Sequence, residues 1–224
     1  MLNWSEINTV LLDMDGTLLD LNFDNHFWQE FVPSRYAALH QISLAEAKHQ
    51  LAPRFKAMEG RLEWYCLDYW TEELQLNIAG LKQELAGLIA VLPHVTEFLD
   101  ALSVSQRRVL LVTNAHRDSL NLKMEKTCLH RFFDAIISSH DFGMAKEQPG
   151  FWQTLQNQHV FDKRSTLLVD DSLAVLRSAQ AFGIAHLVSV SKPDSQAPTR
   201  TVKEFPAVED FRALMQGLDC DRPV

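Results

Sequence analysis

Short apolar runs alternate with amphipathic segments over the second half of the chain. Aliphatic residues dominate each run, and apolar residues recur every three or four positions in the segments between them. The runs span residues 108–113, 135–138, 166–170 and 184–190. Alternation of this kind predicts parallel strands connected by helices, and Val10 to Leu12 adds a strand near the start of the chain. We therefore expect an α/β fold with a five-stranded parallel sheet.

Between residues 20 and 91 the pattern is helical only. No run typical of a strand occurs there, and apolar residues recur at steps of three or four, as Phe23 and Phe27 do. The segment therefore predicts a helical insertion directly after the first strand. We expect a core domain made of residues 1–19 and 92–224, with a helical cap domain made of residues 20–91 over the end of that strand.

Two of the predicted strands lead into paired carboxylates. Asp13 and Asp15 follow the first strand, and Asp170 and Asp171 follow the apolar run 167–169. Ligands of open α/β sheets bind at the carboxyl ends of the strands, so acids placed there suit chemistry better than packing. A solvated acidic turn is the alternative for the first pair, but it does not account for the second pair.

The four carboxylates predict a divalent cation. Acidic groups that meet at one sheet edge repel each other unless positive charge lies among them. Oxygen ligands without histidine or cysteine indicate Mg²⁺, which takes few protein oxygens, several waters and a substrate phosphate. Lys146, in the loop after the third strand, is the candidate second cation, although a single loop lysine is more often solvated. Thr113 and Asn114 end the second strand with a hydroxyl and an amide, which suit phosphate oxygens.

The order of these sites resembles the haloacid dehalogenase (HAD) superfamily over nearly the whole chain. The most specific element is the segment from Asp13 to Thr17, which reads D-M-D-G-T. The resemblance implies a Rossmann-like core with an inserted helical cap, and it implies that Asp13 is a nucleophile that forms an aspartyl-phosphate. Asp15 is then the general acid that protonates the leaving oxygen and afterwards activates water, a role that requires a raised pKa. Dehalogenases of the superfamily lack this second acid, so Asp15 favours a phosphate ester as substrate.

The same resemblance assigns the remaining site residues. Thr113 and Asn114 correspond to the phosphate-binding pair, and Lys146 corresponds to the lysine that neutralises the nucleophile and the phosphate. The implied Mg²⁺ ligands are Asp13, the backbone carbonyl of Asp15, Asp170 and Asp171. Two features depart from the family pattern. Lys146 is followed by Glu-Gln-Pro instead of Pro, and no further acid follows Asp171 within a helical turn, so we expect Asp171 to act through a water or an outer contact.

Two segments of the predicted cap indicate the substrate. Residues 18–28, reading L-L-D-L-N-F-D-N-H-F-W, and residues 62–70, reading L-E-W-Y-C-L-D-Y-W, are similar to the bacterial GMP/IMP-specific 5′-nucleotidases. This resemblance implies a purine nucleoside 5′-monophosphate as substrate. A sugar-phosphate phosphatase or phosphomutase of the same superfamily is the alternative among enzymes. A catalytically silent phosphate-binding or interaction module is the alternative from another class, although no residue with a chemical role is missing.

Aromatic residues are dense in the predicted cap, and a base stacked on an aromatic ring gains about 1–3 kcal/mol. The candidates are Trp28, Trp64, Tyr65, Tyr69 and Trp70. Packing of the helical bundle accounts for most of them, so we expect one or two to reach a purine. The further polar candidates are Asp24, Asn25, Arg61, His26, His116 and His140. Exposure to solvent is the alternative for each.

Composition narrows the choice of partner and compartment. The 224 residues carry a formal net charge of −8, which disfavours a nucleic-acid partner but allows a small anion in a locally positive pocket. Cys66, Cys128 and Cys220 have neither paired nor metal-ligand spacing, which predicts reduced thiols. No leader is recognisable, and no apolar run approaches the about 20 residues that span a bilayer. We expect a cytoplasmic protein with no membrane partner, whose oligomeric state the sequence leaves open.

Overall fold

A parallel six-stranded sheet forms the centre of the computed structural model, which describes residues 2–218. The strands are β1 (Thr9–Leu12), β2 (Arg108–Thr113), β3 (Ala135–Ser138), β4 (Thr166–Asp170), β5 (His186–Val190) and β6 (Ala207–Val208). They lie in the order β3-β2-β1-β4-β5-β6, and every neighbouring pair is parallel. The α/β class is thus confirmed, but the predicted count of five strands is wrong. β6 was missed because a two-residue strand is too short to show a hydrophobic period.

Helices connect these strands. Those between β1 and β2 are α1 (Asn22–His26), α2 (Val32–His40), α3 (Leu44–Met58), α4 (Leu62–Tyr65), α5 (Leu67–Leu74), α6 (Ile78–Glu84) and α7 (Val95–Ser103). Those that follow are α8 (Arg117–Thr127), α9 (Phe151–Gln158), α10 (Leu173–Phe182) and α11 (Arg212–Met215). Within residues 2–218, no helix has both the length and the apolar character needed to cross a bilayer. Cys66 and Cys128 are free thiols, whereas Cys220 lies outside the described residues.

Successive side chains of β1 face opposite sides of the sheet. Val10 and Leu12 pack with apolar side chains of α7, α8 and α11, whereas Leu11 packs with those of α9 and α10. All four residues of the strand are buried. Burial on both faces explains why the strands of this sheet are continuous aliphatic runs instead of alternating patterns.

The helices between residues 22 and 84 have an apolar core of their own, which includes the buried side chains of Phe27 and Trp70. The segment is therefore helical, as predicted. The division into a core of residues 1–19 and 92–224 and a cap of residues 20–91 stays a prediction, and we call the helices α1–α6 the cap below.

A π-helical turn, Phe27–Phe31, joins α1 to α2. Pro33 explains it, because proline has no N–H to donate to the carbonyl four residues earlier and its ring clashes with that carbonyl. The N–H of Val32 instead reaches the carbonyl of Phe27, five residues back. The wider turn carries Trp28, a residue that lines the cavity described below.

Two adjacent segments link the cap to the sheet. The N–H of Asp20 donates to the carbonyl of Ala90 at 2.9 Å, and the N–H of Leu92 donates to the carbonyl of Leu18 at 2.9 Å. The chain therefore enters and leaves the cap side by side, a few residues beyond β1. This arrangement holds the cap close to the carboxyl edge of the sheet.

A tight turn after β1 brings the two acidic pairs together. Gly16 has a φ of +79°, a conformation that residues with a Cβ rarely adopt. A Cβ at this position would lie 2.8 Å from Cγ of Asp171 and 3.1 Å from Cβ of Pro193. Glycine is therefore required here both by the backbone conformation and by the close approach of Asp171.

We expect Gly16→Ala to lower the free energy of unfolding more than Gly60→Ala does. Both glycines have a positive φ, +79° and +76°, and a side chain in that region costs about 1–2 kcal/mol. An added Cβ at Gly60 meets nothing within 4 Å, whereas at Gly16 it overlaps Asp171. Such overpacking costs about 1–3 kcal/mol more. Equilibrium urea unfolding measures both changes, and equal losses would contradict the close approach.

Candidate active site

Lys146 lies among the ends of three strands. Its Nζ donates to Oδ1 of Asp13 at 2.6 Å, to Oδ2 of Asp170 at 2.7 Å and to the carbonyl of Val112 at 3.0 Å. The lysine is 2% exposed, and both carboxylates are also buried. The parallel topology explains this meeting, because β1, β2 and β4 are neighbours that end at one edge.

Burial and charge set the protonation of this group. Burial alone would lower the pKa of Lys146, but the charges of Asp13 and Asp170 raise it above its ordinary value, so the ammonium stays charged. Burial raises the pKa of Asp170 well above its ordinary value. Burial, together with the charge of Asp13, raises the pKa of Asp171 to about 7. Burial thus disfavours the ionised form of these two carboxyls, and one lysine does not offset that cost.

The donor set fits Mg²⁺. Asp13, Asp170 and Asp171 each offer a carboxylate oxygen, and these oxygens lie within 4.8 Å of one another. Such oxygen donors suit a hard divalent cation, and the raised carboxyl pKa values indicate a place where added positive charge is stabilising. Arg200 donates to Oδ2 of Asp171 at 3.2 Å from a side chain that is half exposed.

Asn114 positions the lysine loop. Its Oδ1 accepts the backbone N–H of Lys146 at 2.9 Å, and its Nδ2 donates to Glu147 at 2.8 Å. The hydroxyl of Tyr65 in the cap donates to the other oxygen of Glu147 at 2.7 Å. Glu147 therefore joins the cap to the sheet edge beside Lys146. The neighbouring Thr113 is buried, and its hydroxyl accepts the N–H two residues further on at 3.0 Å.

A second buried lysine contacts Asp15. Lys123 in α8 donates to Oδ1 of Asp15 at 2.6 Å and to Oδ2 of Asp24 at 2.6 Å. Lys82 in α6 donates to the other oxygen of Asp24 at 2.6 Å and lies 4.6 Å from the centroid of the Phe27 ring. The two lysines are 1% and 2% exposed. Carboxylates and ammonium groups thus alternate from the end of β1 into the cap.

The two carboxylates in this alternating series, Asp15 and Asp24, titrate differently. Burial raises the pKa of Asp15 to about 6, and the charges of Asp24 and Asp13 add to the effect although Lys123 opposes it. Burial alone would also raise the pKa of Asp24, but the charges of Lys123 and Lys82 lower it below its ordinary value. The difference follows from the contacts, because Asp24 has two ammonium partners and Asp15 shares one.

All of the predicted catalytic, phosphate-binding and metal-binding side chains line one cavity of about 380 Å³. They are Asp13, Asp15, Thr113, Asn114, Lys146, Asp170 and Asp171. The cap side chains that line it are Leu21, Asp24, Asn25, Trp28, Gln29, Phe55, Trp64, Tyr65, Leu67 and Lys82. The volume is within the range of about 300–1,000 Å³ that is typical of small-molecule sites. The cavity therefore has a charged floor at the sheet edge and an aromatic wall in the cap.

The aromatic candidates divide between the cavity and the cap core. Trp28, Trp64 and Tyr65 line the cavity, and the rings of the two tryptophans are stacked with centroids 6.3 Å apart. Trp70 is buried, and Tyr69 packs edge-to-face against it at 5.0 Å. Three of the five candidates thus line the cavity, and the expectation that one or two of them contact a base stays a prediction.

Some of the remaining polar candidates line the cavity, and others do not. Asn25 lines the cavity, and its Nδ2 donates to Oδ2 of Asp194 at 2.6 Å. Arg61 and His26 are exposed and do not line it. His116 lines the cavity, and its ring meets that of His140 at 5.0 Å. Burial, together with the charge of His116, lowers the pKa of His140 to about 4.

Lys82, Lys123 and Glu147 were not predicted as site residues from the sequence. A signal for the two lysines was present, since Lys123 lies three residues after Leu120 and Lys82 four residues after Ile78, on helix faces that are buried. A lysine at an apolar position of a helical period indicates a buried partner. Glu147 was noted only as a departure from a loop pattern, and its contacts depend on the position of the cap.

Comparison with known proteins identifies the family. The family model of haloacid dehalogenase-like hydrolases matches residues 7–183. The GMP/IMP nucleotidase YrfG of Escherichia coli strain K12 is 38% identical over 215 residues, which cover 96% of this chain and 97% of that protein. The pyrophosphatase PpaX of Bacillus pumilus is 28% identical over 197 residues, which cover 81% of this chain and 82% of that protein.

Solved structures share the fold. An HAD phosphatase from Thermococcus onnurineus has a TM-score of 0.79 at 19% identity and covers 96% of this chain and 100% of its own. The L-2-haloacid dehalogenase of Xanthobacter autotrophicus has a TM-score of 0.64 at 16% identity and covers 94% of this chain and 97% of its own. At these low identities the solved structures show only that the fold is shared. The family model and the 38% identity to the nucleotidase show similarity of the sequence itself. The chain therefore belongs to the haloacid dehalogenase-like hydrolases.

Proposed function

We propose that the protein is a Mg²⁺-dependent phosphomonoesterase that hydrolyses purine nucleoside 5′-monophosphates, GMP and IMP, through an aspartyl-phosphate on Asp13. The observation that carries the chemistry is the carboxylate of Asp13, which the buried ammonium of Lys146 holds at the floor of the cavity. The substrate class is supported by the relative named as a GMP/IMP nucleotidase, whose similarity covers the cap as well as the sheet.

Asp13 is the phosphoryl acceptor in this proposal. Lys146 fixes one carboxylate oxygen at 2.6 Å and leaves the other to attack phosphorus. The ammonium also neutralises part of the charge of the incoming phosphate, and the Thr113 hydroxyl lies at the same cavity floor. Phosphoryl transfer depends mainly on positioning and on stabilising charge on the equatorial oxygens, which is what these groups provide.

Asp15 transfers the proton. Its carboxyl is protonated below its pKa of about 6 and is then able to donate to the leaving ester oxygen. Once ionised, the same group accepts a proton from the water that attacks the aspartyl-phosphate, so one residue serves both steps. Lys123 is a positioning residue, because it holds one carboxyl oxygen and leaves the other directed to the cavity.

The carboxylates of Asp13, Asp170 and Asp171, with the backbone carbonyl of Asp15, are the groups we propose to hold Mg²⁺. When bound, the ion supplies positive charge that stabilises the phosphate oxygens during transfer. Asp171 contributes directly or through a water, since its carboxylate is within reach of the other two.

Trp28 and Trp64 offer flat faces to a purine ring at the cap side of the cavity. Asp24 and Asn25 lie on the same wall and supply polar groups for base edges or ribose hydroxyls. A nucleotide therefore meets charge at its phosphate and aromatic surface at its base. We further propose that the enzyme acts in the cytoplasm on a small-molecule phosphate ester and has neither a nucleic-acid nor a membrane partner.

Phosphate release from a panel of phosphate esters tests the proposed activity. We expect rapid release from GMP and IMP with Mg²⁺, slower release from AMP, UMP and sugar phosphates, and none with EDTA. Asp13→Asn removes the nucleophile and is expected to abolish release of phosphate from every substrate. Turnover of sugar phosphates alone would contradict the proposed nucleotide substrate but not the proposed phosphoryl transfer to Asp13. No turnover of any ester would favour a catalytically silent binding module.

The pH dependence of kcat/KM tests the proton-donor role of Asp15. The charged groups that face its carboxyl are Lys123, Asp24 and Asp13. Because the proton donor must be protonated, we expect kcat/KM to fall as the pH rises through about 6, the raised pKa of Asp15. Lys123→Met removes the charge that lowers this pKa, so the fall is expected at a higher pH.

Two variants control for this shift. Lys126→Met removes an exposed lysine from the same helix and is expected to leave the pH profile unchanged. Asp15→Asn removes the ionisation and lowers kcat by about 10²- to 10⁴-fold, the usual contribution of general acid–base catalysis. An unshifted pH profile in Lys123→Met, or full turnover by Asp15→Asn, would show that Asp15 is not the proton donor.

Substitution of a cavity tryptophan tests the base site. We expect Trp64→Ala to lower kcat/KM for GMP by roughly 10- to 100-fold, because stacking contributes about 1–3 kcal/mol per base. The value for ribose 5-phosphate, which has no base, is expected to change little. Tyr69→Ala is the matched control, since Tyr69 packs on Trp70 outside the cavity lining. An equal loss for both substrates in Trp64→Ala would mean that the ring serves cap packing only.

A further inference from the structure

A second cluster of metal-ligating side chains lies beside the cavity. Cys66, His116 and His140 each present one donor atom, and the three donors lie within 4.8 Å of one another. The rings of the two histidines are nearly perpendicular, at 81°, with centroids 5.0 Å apart. One thiol and two imidazoles at this separation match the donor set of tetrahedral zinc sites.

His140 has a ring nitrogen that lacks a partner. Its Nε2 is buried and has no hydrogen bond within the part of the chain that the structure describes. A buried imidazole nitrogen with no hydrogen-bond partner is available as a metal ligand. A buried polar atom without a partner costs free energy, and a bound metal ion would give Nε2 of His140 that partner.

His116 and Cys66 are held in place by their own neighbours. Nε2 of His116 lies 3.6 Å from a carboxylate oxygen of Asp68, and Nδ1 lies 3.8 Å from the carboxylate of Asp118 on the opposite side of the ring. Sγ of Cys66 accepts the backbone N–H of Tyr69 at 3.5 Å, at the start of α5. The thiolate is the form of cysteine that binds metal.

We propose that Cys66, His116 and His140 form a site for Zn²⁺, with Asp68 or a water as the fourth ligand. The thiolate and imidazole donors select a borderline-soft transition metal, in contrast to the oxygen donors at the sheet edge, which select Mg²⁺. Binding displaces the thiol proton of Cys66 to solvent, and no oxidant or reductant takes part.

The proposed zinc site joins two parts of the chain. Cys66 lies between α4 and α5 in the cap, whereas His116 precedes α8 and His140 follows β3. His116 also lines the cavity. Bound zinc therefore ties the cap to the sheet edge next to the cavity and opposes movement of the cap away from that edge.

Cobalt spectroscopy tests the site on the full-length protein with saturating Mg²⁺. The double variant Cys128→Ser/Cys220→Ser leaves Cys66 as its only thiol, since the sequence has 3 cysteines. We expect Co²⁺ to give this variant a thiolate-to-metal charge-transfer band and the visible bands typical of tetrahedral coordination. Stoichiometric Zn²⁺ is expected to displace Co²⁺ and so to abolish the charge-transfer band and the visible bands. The absence of a charge-transfer band would overturn the proposal.

Loss of a ligand provides the second readout. Cys66→Ser and His140→Asn are each expected to weaken Zn²⁺ binding by about 100-fold, measured by competition with a chromophoric chelator. Zn²⁺ is also expected to slow amide hydrogen exchange in residues 62–74 of the unsubstituted protein but not of Cys66→Ser. Unchanged circular dichroism shows that each variant is folded. Undiminished zinc affinity in both folded variants would overturn the proposal, and none of these measurements depends on which phosphate ester is the substrate.

Discussion

A single buried ammonium group holds the candidate active site together. Lys146 reaches in from the loop after β3 and contacts Asp13 after β1, Asp170 at the end of β4 and the backbone of Val112 in β2. Loss of one partner from a buried pair leaves an uncompensated charge and typically costs about 3–5 kcal/mol. The positions of the Asp13 and Asp170 carboxylates at the cavity floor therefore depend on this contact. Its charge also decides where an anionic ligand is stabilised.

A second set of buried charges connects that floor to the cap. Asp15, Lys123, Asp24 and Lys82 alternate in sign, and both lysines are almost fully buried. Contacts of this kind require that the cap and α8 approach each other closely, because both ammonium groups are almost fully buried and a buried charge without a partner is costly. The same contacts set the pKa of Asp15 apart from that of Asp24. Cap position and proton transfer are thus coupled through Lys123 in the proposed mechanism.

The sequence was sufficient to predict the strands that carry the site, but not the contacts that the cap makes. The bounds of β2, β3 and β4 match the predicted runs because strands buried on both faces are continuously apolar. The acidic pairs could be placed at one edge because parallel strands end together. Lys82 and Lys123 were missed because their burial depends on how the cap docks against α8. Cys66, His116 and His140 come from three separate segments, so no spacing rule brings them together.

Detection of a covalent intermediate would show whether Asp13 accepts the phosphoryl group. A single turnover of GMP is quenched in acid within milliseconds, and the digested peptides are analysed by mass spectrometry. We expect a transient phosphoryl group on the peptide that contains Asp13, localised to that side chain, which decays as phosphate appears. A phosphoryl group on another carboxylate, or phosphate release with no phosphorylated peptide at any time, would contradict this role of Asp13.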